Sequence, residues 1–346
     1  MTKQPTALKE IGEFRLIDTL TQNFQCKQTS SVHGVGDDAA VIDAGDHYQL
    51  VTTDILLEGI HFDVAYCPLQ HLGYKAVAVN VADIAAMNGM PTQITVSIGV
   101  SNRFSLEDLQ ALYQGIQAAC ESYCVDLVGG DTAPAATGLA LSVTALGRVD
   151  KDKLCLRKGI QPNDILCVTG DLGGAYIGQQ ILAREKKVWE ADKAMQPDLA
   201  PYQYMLQRQL RPEARTDIVH ELHELPLVPT AMIDISDGLA SELFQFHKSS
   251  QVGANIYEDK LPIDNRTFET AVALNLDPIM CALHGGEDYE LLFTIRPQDL
   301  PKVEKHPDIS FIGYATDTQA LQLITKEGTA IPLKAQGWEQ VMAGLS

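Results

Sequence analysis

HLGYKAVAVNVADIAAMNG, residues 71–89, sets apolar side chains on nearly every side of a helical wheel. A helix with that pattern is buried rather than laid on a surface. Asp83 stands in its midst, among Val77, Ala78, Val79, Val81, Ala82, Ile84, Ala85, Ala86 and Met87. A lone ionised carboxylate in such surroundings is costly unless it is paired or metal-bound. Asn80, three residues earlier, shares its face. Asp83 therefore either bonds to backbone or to Lys75, or ligates a cation.

On either side of this helix the pattern alternates. YQLVTTDI (48–55), TQITVSIGV (92–100), VDLVGGD (125–131) and LALSVTALGRV (139–149) read as strands. GEFRLIDTL (12–20) reads as a short amphipathic helix. SLEDLQALYQGIQAACESY reads as a longer one, opened by Ser105 and Asp108 as a capping-box pair. DKDKLCLRKGIQPND (150–164) is charged and turn-rich, and it marks a boundary between domains 1–150 and 151–346. Beyond it DILCVTGD (164–171) is a strand, GGAYIGQQILARE begins a helix, and 185–229 is polar and helical. TAMIDISDGLASELFQF (230–246) is strand, turn and helix. ANIYE (254–258), YELLFTI (289–295) and ISFIGYA (309–315) are strands. Two mixed α/β (α+β) domains are expected for a chain of 346 residues.

Acidic residues number 45 against 26 basic, for a net charge of −19. That argues against a nucleic-acid or anionic-membrane partner. It leaves room for an anionic substrate, because bound cations reverse the local sign. The seven cysteines form no CxxC pair and read as reduced thiols of a cytoplasmic chain. The opening MTKQPTALKEIGEF has no apolar signal core, and no apolar run is long enough to span a membrane.

Acids recur beside apolar runs: GVGDDAAVI (34–42), TTD (52–54), NVAD (80–83), VGGD (128–131), DISDG (234–238) and GGED (285–288). Any one could be a turn aspartate making a local bond. Asp38, Asp54 and Asp131 end apolar stretches, where loops hold chemistry. Thr52 and Thr53 give Asp54 neighbouring hydroxyls that suit a hard cation. Gly129 and Gly130 let backbone approach a ligand phosphate. Ser236 or Asp237 reads as an N-cap, a place that also attracts phosphate. All-oxygen ligands point to Mg²⁺ rather than zinc. No HExxH, no GxxxxGK[ST] and no protein-kinase loop is present. The residues thus suggest nucleotide phosphate chemistry with more than one metal ion.

GEF, GVGDDAAV, TTDILLEGIHF, YKAVAVNVADIAAMNG, VGGDT, RKGIQPND, DISDGL and GGEDYELLFT stand in the order seen in thiamine-monophosphate kinases. The chain resembles that family, part of the superfamily typified by aminoimidazole ribonucleotide synthetase, over about residues 11 to 340. Departures are Ala82 for a usual Ser and MNG for MGA. The resemblance implies ATP-dependent conversion of thiamine monophosphate to thiamine diphosphate. It implies an N-terminal domain that pairs into a homodimer through a barrel-like interface, and a C-terminal α/β domain closing the cleft. It assigns Mg²⁺ to Asp38, Thr52, Thr53, Asp54, Asp83, Asp131, Asp234 and Asp237. It assigns ATP to Tyr113, Gly130, Asp131, Arg157 and Ser236, and the thiamine phosphate to His61, Glu287 and Trp338. Asp38 rather than Asp37 is the implied ligand, since adjacent side chains of an extended segment diverge.

Overall fold

A computed structural model describes residues 13–334. The first half opens with helix α1 (Glu13–Thr21) and builds a six-stranded sheet. Its strands are β1 (Ser31–His33), β2 (Ala40–Asp43), β3 (Tyr48–Leu57), β4 (Met90–Val100), β5 (Asp126–Pro134) and β6 (Leu139–Val149). They lie in the order β1-β2-β3-β6-β4-β5, antiparallel except for β4 and β5. Alternation sends Leu50, Leu56, Ile94, Val96, Ile98, Leu141 and Val143 to one face, and all are buried there. Helices α2 (Leu69–Ala86) and α3 (Leu106–Tyr123) join the core they form.

The second half builds a seven-stranded sheet in the order β13-β12-β9-β11-β7-β10-β8. These strands are β7 (Ile165–Thr169), β8 (Ala231–Asp234), β9 (Gly253–Tyr257), β10 (Leu291–Ile295), β11 (Ile309–Thr316), β12 (Leu321–Ile324) and β13 (Ala330–Pro332). Its helices are α4 (Gly174–Ala191), α5 (Gln203–Leu210), α6 (Thr216–Glu224), α7 (Leu239–Ser250), α8 (Asn265–Ala273), α9 (Pro278–His284) and α10 (Leu300–Val303). The polar stretch 185–229 resolves into the end of α4, a 3-10 turn at Ala200–Tyr202, α5 and α6. The short strands β1, β2, β12 and β13 and the helices α8 to α10 have no counterpart in the sequence reading, because their runs are too brief to show a period. YELLFTI begins as a strand only at Leu291, since Tyr289 has φ +52°.

Helix α2 is the element both halves share. It touches β3, β4, β6 and α3 on one side, and β8, α5 and α6 on the other. Every residue from Leu72 to Ala86 is buried except Asp83, which keeps partial exposure. The all-round apolar pattern thus has its cause in two packed layers. The helix stops at Asn88 (φ +56°), whose N–H and that of Gly89 return to the carbonyls of Ala85 and Ile84. Asn is the side chain that best tolerates this left-handed position after Gly. Helix α3 starts as read: Asp108 N–H donates to Ser105 Oγ (3.2 Å) and Ser105 N–H to Asp108 Oδ2 (2.8 Å).

Helices α2 and α3 approach each other through facing glycines. A Cβ on Gly73 would collide with the Leu112 carbonyl oxygen, and one on Gly115 with that of Gln70. Both obstacles are backbone, so neither can turn aside. Gly73→Ala is therefore expected to lower the unfolding free energy by about 1–3 kcal/mol, the usual cost of overpacking. Urea unfolding checks this, with an unchanged midpoint as the contrary result.

Candidate active site

The carboxylates of Asp38, Asp83 and Asp234 bring one oxygen each within 4.8 Å of one another. Three separate pieces of chain deliver them. Asp38 lies in the loop before β2, Asp83 projects from α2, and Asp234 ends β8. The first two belong to one half of the chain and the third to the other.

The surrounding groups fix their geometry. Thr52 Oγ1 donates to Asp83 Oδ2 (2.6 Å). Asn80 Oδ1 accepts the Asp54 N–H (3.0 Å), and its amide donates to Ala76 O. Arg157 grips Asp38 with two donors, Nε to Oδ2 (3.1 Å) and Nη2 to Oδ1 (2.5 Å). The segment is a bend rather than an extended run, and both acids meet Arg157: Asp38 takes its guanidinium, while Asp37 accepts its backbone N–H (3.2 Å). Lys75 does not reach Asp83; it pairs with Glu287.

This cluster carries more negative charge than Arg157 neutralises. Burial first, then Asp54, Asp234 and Asp38, push the Asp83 pKa well above the usual carboxylate range, against the Thr52 hydroxyl. Burial and then Asp38 do the same to Asp234, opposed by Arg157. Burial raises Asp54. Burial and the adjacent Asp38 raise Asp37 to about 7. Asp237 is raised by burial and by Glu287. Crowded hard oxygens that resist ionisation without a counter-charge are the donor set a divalent cation such as Mg²⁺ fits.

The strand register separates the remaining candidates. Asp54 pairs with Val143, Val143 with Val96, and Val96 with Gly130. Paired residues share a face, so Thr52 and Asp54 look inward to α2. Thr53 pairs with Thr144, and Asp131 with Ser97, on the outer face. Within one chain Thr53 and Asp131 do not join the Asp38–Asp83–Asp234 cluster. Gly130 needs its bare Cα for another reason as well: a Cβ there would strike the Val96 carbonyl oxygen. Tyr113, on α3, lines a groove of about 640 Å³ between α3 and β5, with Gln110, Gln117 and Leu127.

In the DISDG turn neither Ser236 nor Asp237 caps α7. Gly238, at φ +108°, occupies the cap position. The Asp237 N–H is taken by Glu242 Oε1 (3.0 Å) and the Ser236 carbonyl by the Glu287 N–H (2.7 Å). Glu242 is buried beside Asp237 and Asp234, and burial and those charges raise its pKa well above normal. The sequence reading passed over it, although DISDGLASEL places it one helical turn past the aspartates.

His61 accepts the Leu57 N–H at Nδ1 (2.9 Å). Its pKa is lowered by burial, with Glu287 opposing and Lys75 assisting. The neutral ring then carries its proton on Nε2, free to donate. Glu287 (φ +61°) accepts from Lys75 and from Gln209 Nε2 (2.8 Å). Its neighbour Asp288 takes the N–H groups of Gly173 and Ala175 at the start of α4. The glycine-rich turn before α4 is thereby filled by a protein carboxylate. Trp338 lies outside the described residues.

Residues 36–149 match the family model described as AIR synthase related protein, N-terminal domain. The chain is 34% identical over 335 residues to the thiamine-monophosphate kinase of Bacillus subtilis (strain 168), covering 95% of this chain and 99% of that one. It is 32% identical to that of Aquifex aeolicus (strain VF5), covering 96% and 99%. The solved structure of AaThiL complexed with AMPPCP and TMP superposes with TM-score 0.83 at 30% identity, over 96% of this chain and 98% of that one. The E. coli hydrogenase maturation protein HypE, at 18% identity and TM-score 0.68 over 95% and 99%, shares the fold.

Raised carboxylate pKa values make the folded state hold extra protons, so stability falls as pH climbs from the unfolded to the folded value. Without divalent cation, the contribution of these carboxylates is expected to be present near pH 5 and lost by pH 8, past the value of about 7 at which Asp37 titrates. Asp83→Asn, which removes one of these buried carboxylates, should raise the cation-free stability more at pH 8 than at pH 5. Urea unfolding in a chelator at both pH values measures both effects; stability rising with pH would contradict them.

Proposed function

Because the chain belongs to the thiamine-monophosphate kinase family and phosphorylates thiamine monophosphate with ATP to give thiamine diphosphate, we propose that it does so by direct in-line transfer with several Mg²⁺ ions held by its own carboxylates. The convergence of Asp38, Asp83 and Asp234 from both halves of the chain supports this reading above all else. We assign Asp38, Thr52, Asp54, Asp83, Asp234 and Asp237 to the inner metal group. Thr53 and Asp131 form the outer one. Tyr113, Gly130, Asp131, Arg157 and Ser236 meet ATP, and His61, Glu287 and Trp338 meet the thiamine phosphate.

The acceptor is a phosphate oxygen, already anionic near neutral pH, so no general base is needed. The new bond forms between this oxygen and the γ-phosphorus. The bond from that phosphorus to the β,γ-bridging oxygen breaks, and ADP leaves with the charge. The obstacle is repulsion, about 4 kcal/mol per unit pair at about 4 Å and an effective dielectric near 20. When bound, Mg²⁺ supplies charge neutralisation and alignment of the two phosphates. Arg157, whose Nε and Nη2 hold Asp38, has its Nη1 left to donate to a phosphate beside the cluster. His61 offers an Nε2 donor to the acceptor phosphate.

Residues 1–150 and 151–346 are proposed as the two domains, with the cleft at their junction. A homodimer is proposed through the outer face of the first sheet. Ile42, Ile55 and Leu57 are exposed there, and the edge strand β5 exposes Leu127, Val128 and Asp131. Such a pairing brings Thr53 and Asp131 under the cover of a second copy. A cytoplasmic setting is proposed as well. No helix among the described residues is long and apolar enough to cross a membrane, and none of the cysteines is bridged.

ADP release should require both thiamine monophosphate and Mg²⁺. Asp83→Asn and Asp131→Asn should each lower kcat by two orders of magnitude or more, with circular dichroism unchanged. Near-normal turnover in both variants, or a trapped phosphoenzyme, would refute the mechanism.

A further inference from the structure

Lys75 is a lysine with 3% exposure, set on α2 with no solvent path for its charge. Burying an ammonium is unfavourable unless a partner compensates. Its partners come from 134 and 212 residues away: the Gln209 carbonyl oxygen (3.0 Å) on α5 and the Glu287 carboxylate in the loop before β10. Gln209 Nε2 donates to the same carboxylate oxygen (2.8 Å). Both protein hydrogen bonds to the carboxylate therefore fall on Oε2.

Three further observations point the same way. Glu287 keeps 28% side-chain exposure while Lys75 keeps 3%, so the acid is the more accessible member of the pair. Glu287 sits at φ +61°, a backbone conformation that non-glycine residues hold only when their surroundings impose it. The side-chain oxygen of Gln209 is buried with no partner, and Gln209 and Lys75 line a small cavity of about 90 Å³ with His61, Phe62 and Tyr66. The unpaired buried acceptor of Gln209, and a Glu287 carboxylate oxygen that takes no hydrogen bond among the described residues, suit an N–H-bearing ligand.

We infer that Lys75 and Gln209 are positioning residues that hold Glu287 by one oxygen and present the other to the N–H-bearing aminopyrimidine ring of thiamine monophosphate, setting selectivity for that ring. The inference rests on the reading that Glu287 meets this substrate. Lys75 is required because it fixes the direction of the acid, not because it touches substrate. Removing it would free the carboxylate to rotate and strand its charge.

The experiment is steady-state kinetics of the full-length protein, with both substrates varied. Lys75→Met and Glu287→Gln should each raise KM for thiamine monophosphate at least tenfold while KM for ATP stays within twofold. Lys75→Arg, which keeps the charge, should recover most of the loss. Combining Lys75→Met with Glu287→Gln should do no more harm than the worse single variant, as expected of one device. Gln209→Ala is the gentler probe should Lys75→Met fail to fold; it should raise the same KM about threefold or more. If Glu287→Gln raises KM for thiamine monophosphate but Lys75→Met, or Gln209→Ala in its place, does not, the clamp is refuted and the substrate role of Glu287 stands. If Glu287→Gln leaves that KM unchanged, the underlying reading fails and takes the clamp with it.

Discussion

Three carboxylates from distant parts of the chain crowd against one guanidinium, and that electrostatic deficit governs the rest of the structure. Asp38, Asp83 and Asp234 approach within 4.8 Å, and Arg157 alone grips one of them. Like charges so close raise one another's pKa and oppose folding unless protons or cations intervene. The arrangement persists because the surrounding fold over-determines it. Each carboxylate belongs to an element whose position is set by apolar packing elsewhere. A site that is unfavourable by itself is thus held by a core that is not.

Helix α2 is the device that does the holding. Its residues are buried from Leu72 to Ala86, with Asp83 the one opening. Three polar side chains on it have three separate tasks. Asp83 turns to the cluster, Asn80 locks the backbone beside Asp54, and Lys75 reaches Glu287. Packing of both halves against one helix also means that the cleft cannot deform without disturbing the core. The carboxylate cluster and the core share this one helix, so substitutions on α2 bear on both.

Much of this was legible in the sequence, for identifiable reasons. The buried helix, the long strands and the capping box on α3 are local, and each has a period or a spacing that shows it. The acids beside apolar runs were visible as an anomaly in burial. Partnerships across the chain were not. The sequence permitted Lys75 to pair with Asp83, eight residues on; in the fold it serves Glu287, 212 residues away. Ser236 and Asp237 looked like caps because their types and position suit one. Gly238 took the cap position because the turn needed φ +108° there, which left both side chains for other work. Glu242 was hidden because one turn of an amphipathic helix gives no sign that its acid is buried.

The split between the two faces of the first sheet follows from the pleat alone. Thr52 and Asp54 differ by two residues and must share a face, and Thr53 between them must not. The placement of Asp131 needs more, the register of β3, β6, β4 and β5 across four strands. Asp131, on the exposed edge strand and pointing away from the inner cluster, accepts only the N–H of its neighbour Thr132 (2.9 Å) and makes no ion pair among the described residues. A protein that needs it beside phosphate has to bring a ligand around the edge or cover that edge with another surface. Edge strands left open invite pairing in any case. The unpaired backbone groups of β5 and the outward Asp131 carboxylate thus lie together on one edge of the sheet, so whatever covers that edge meets both at once.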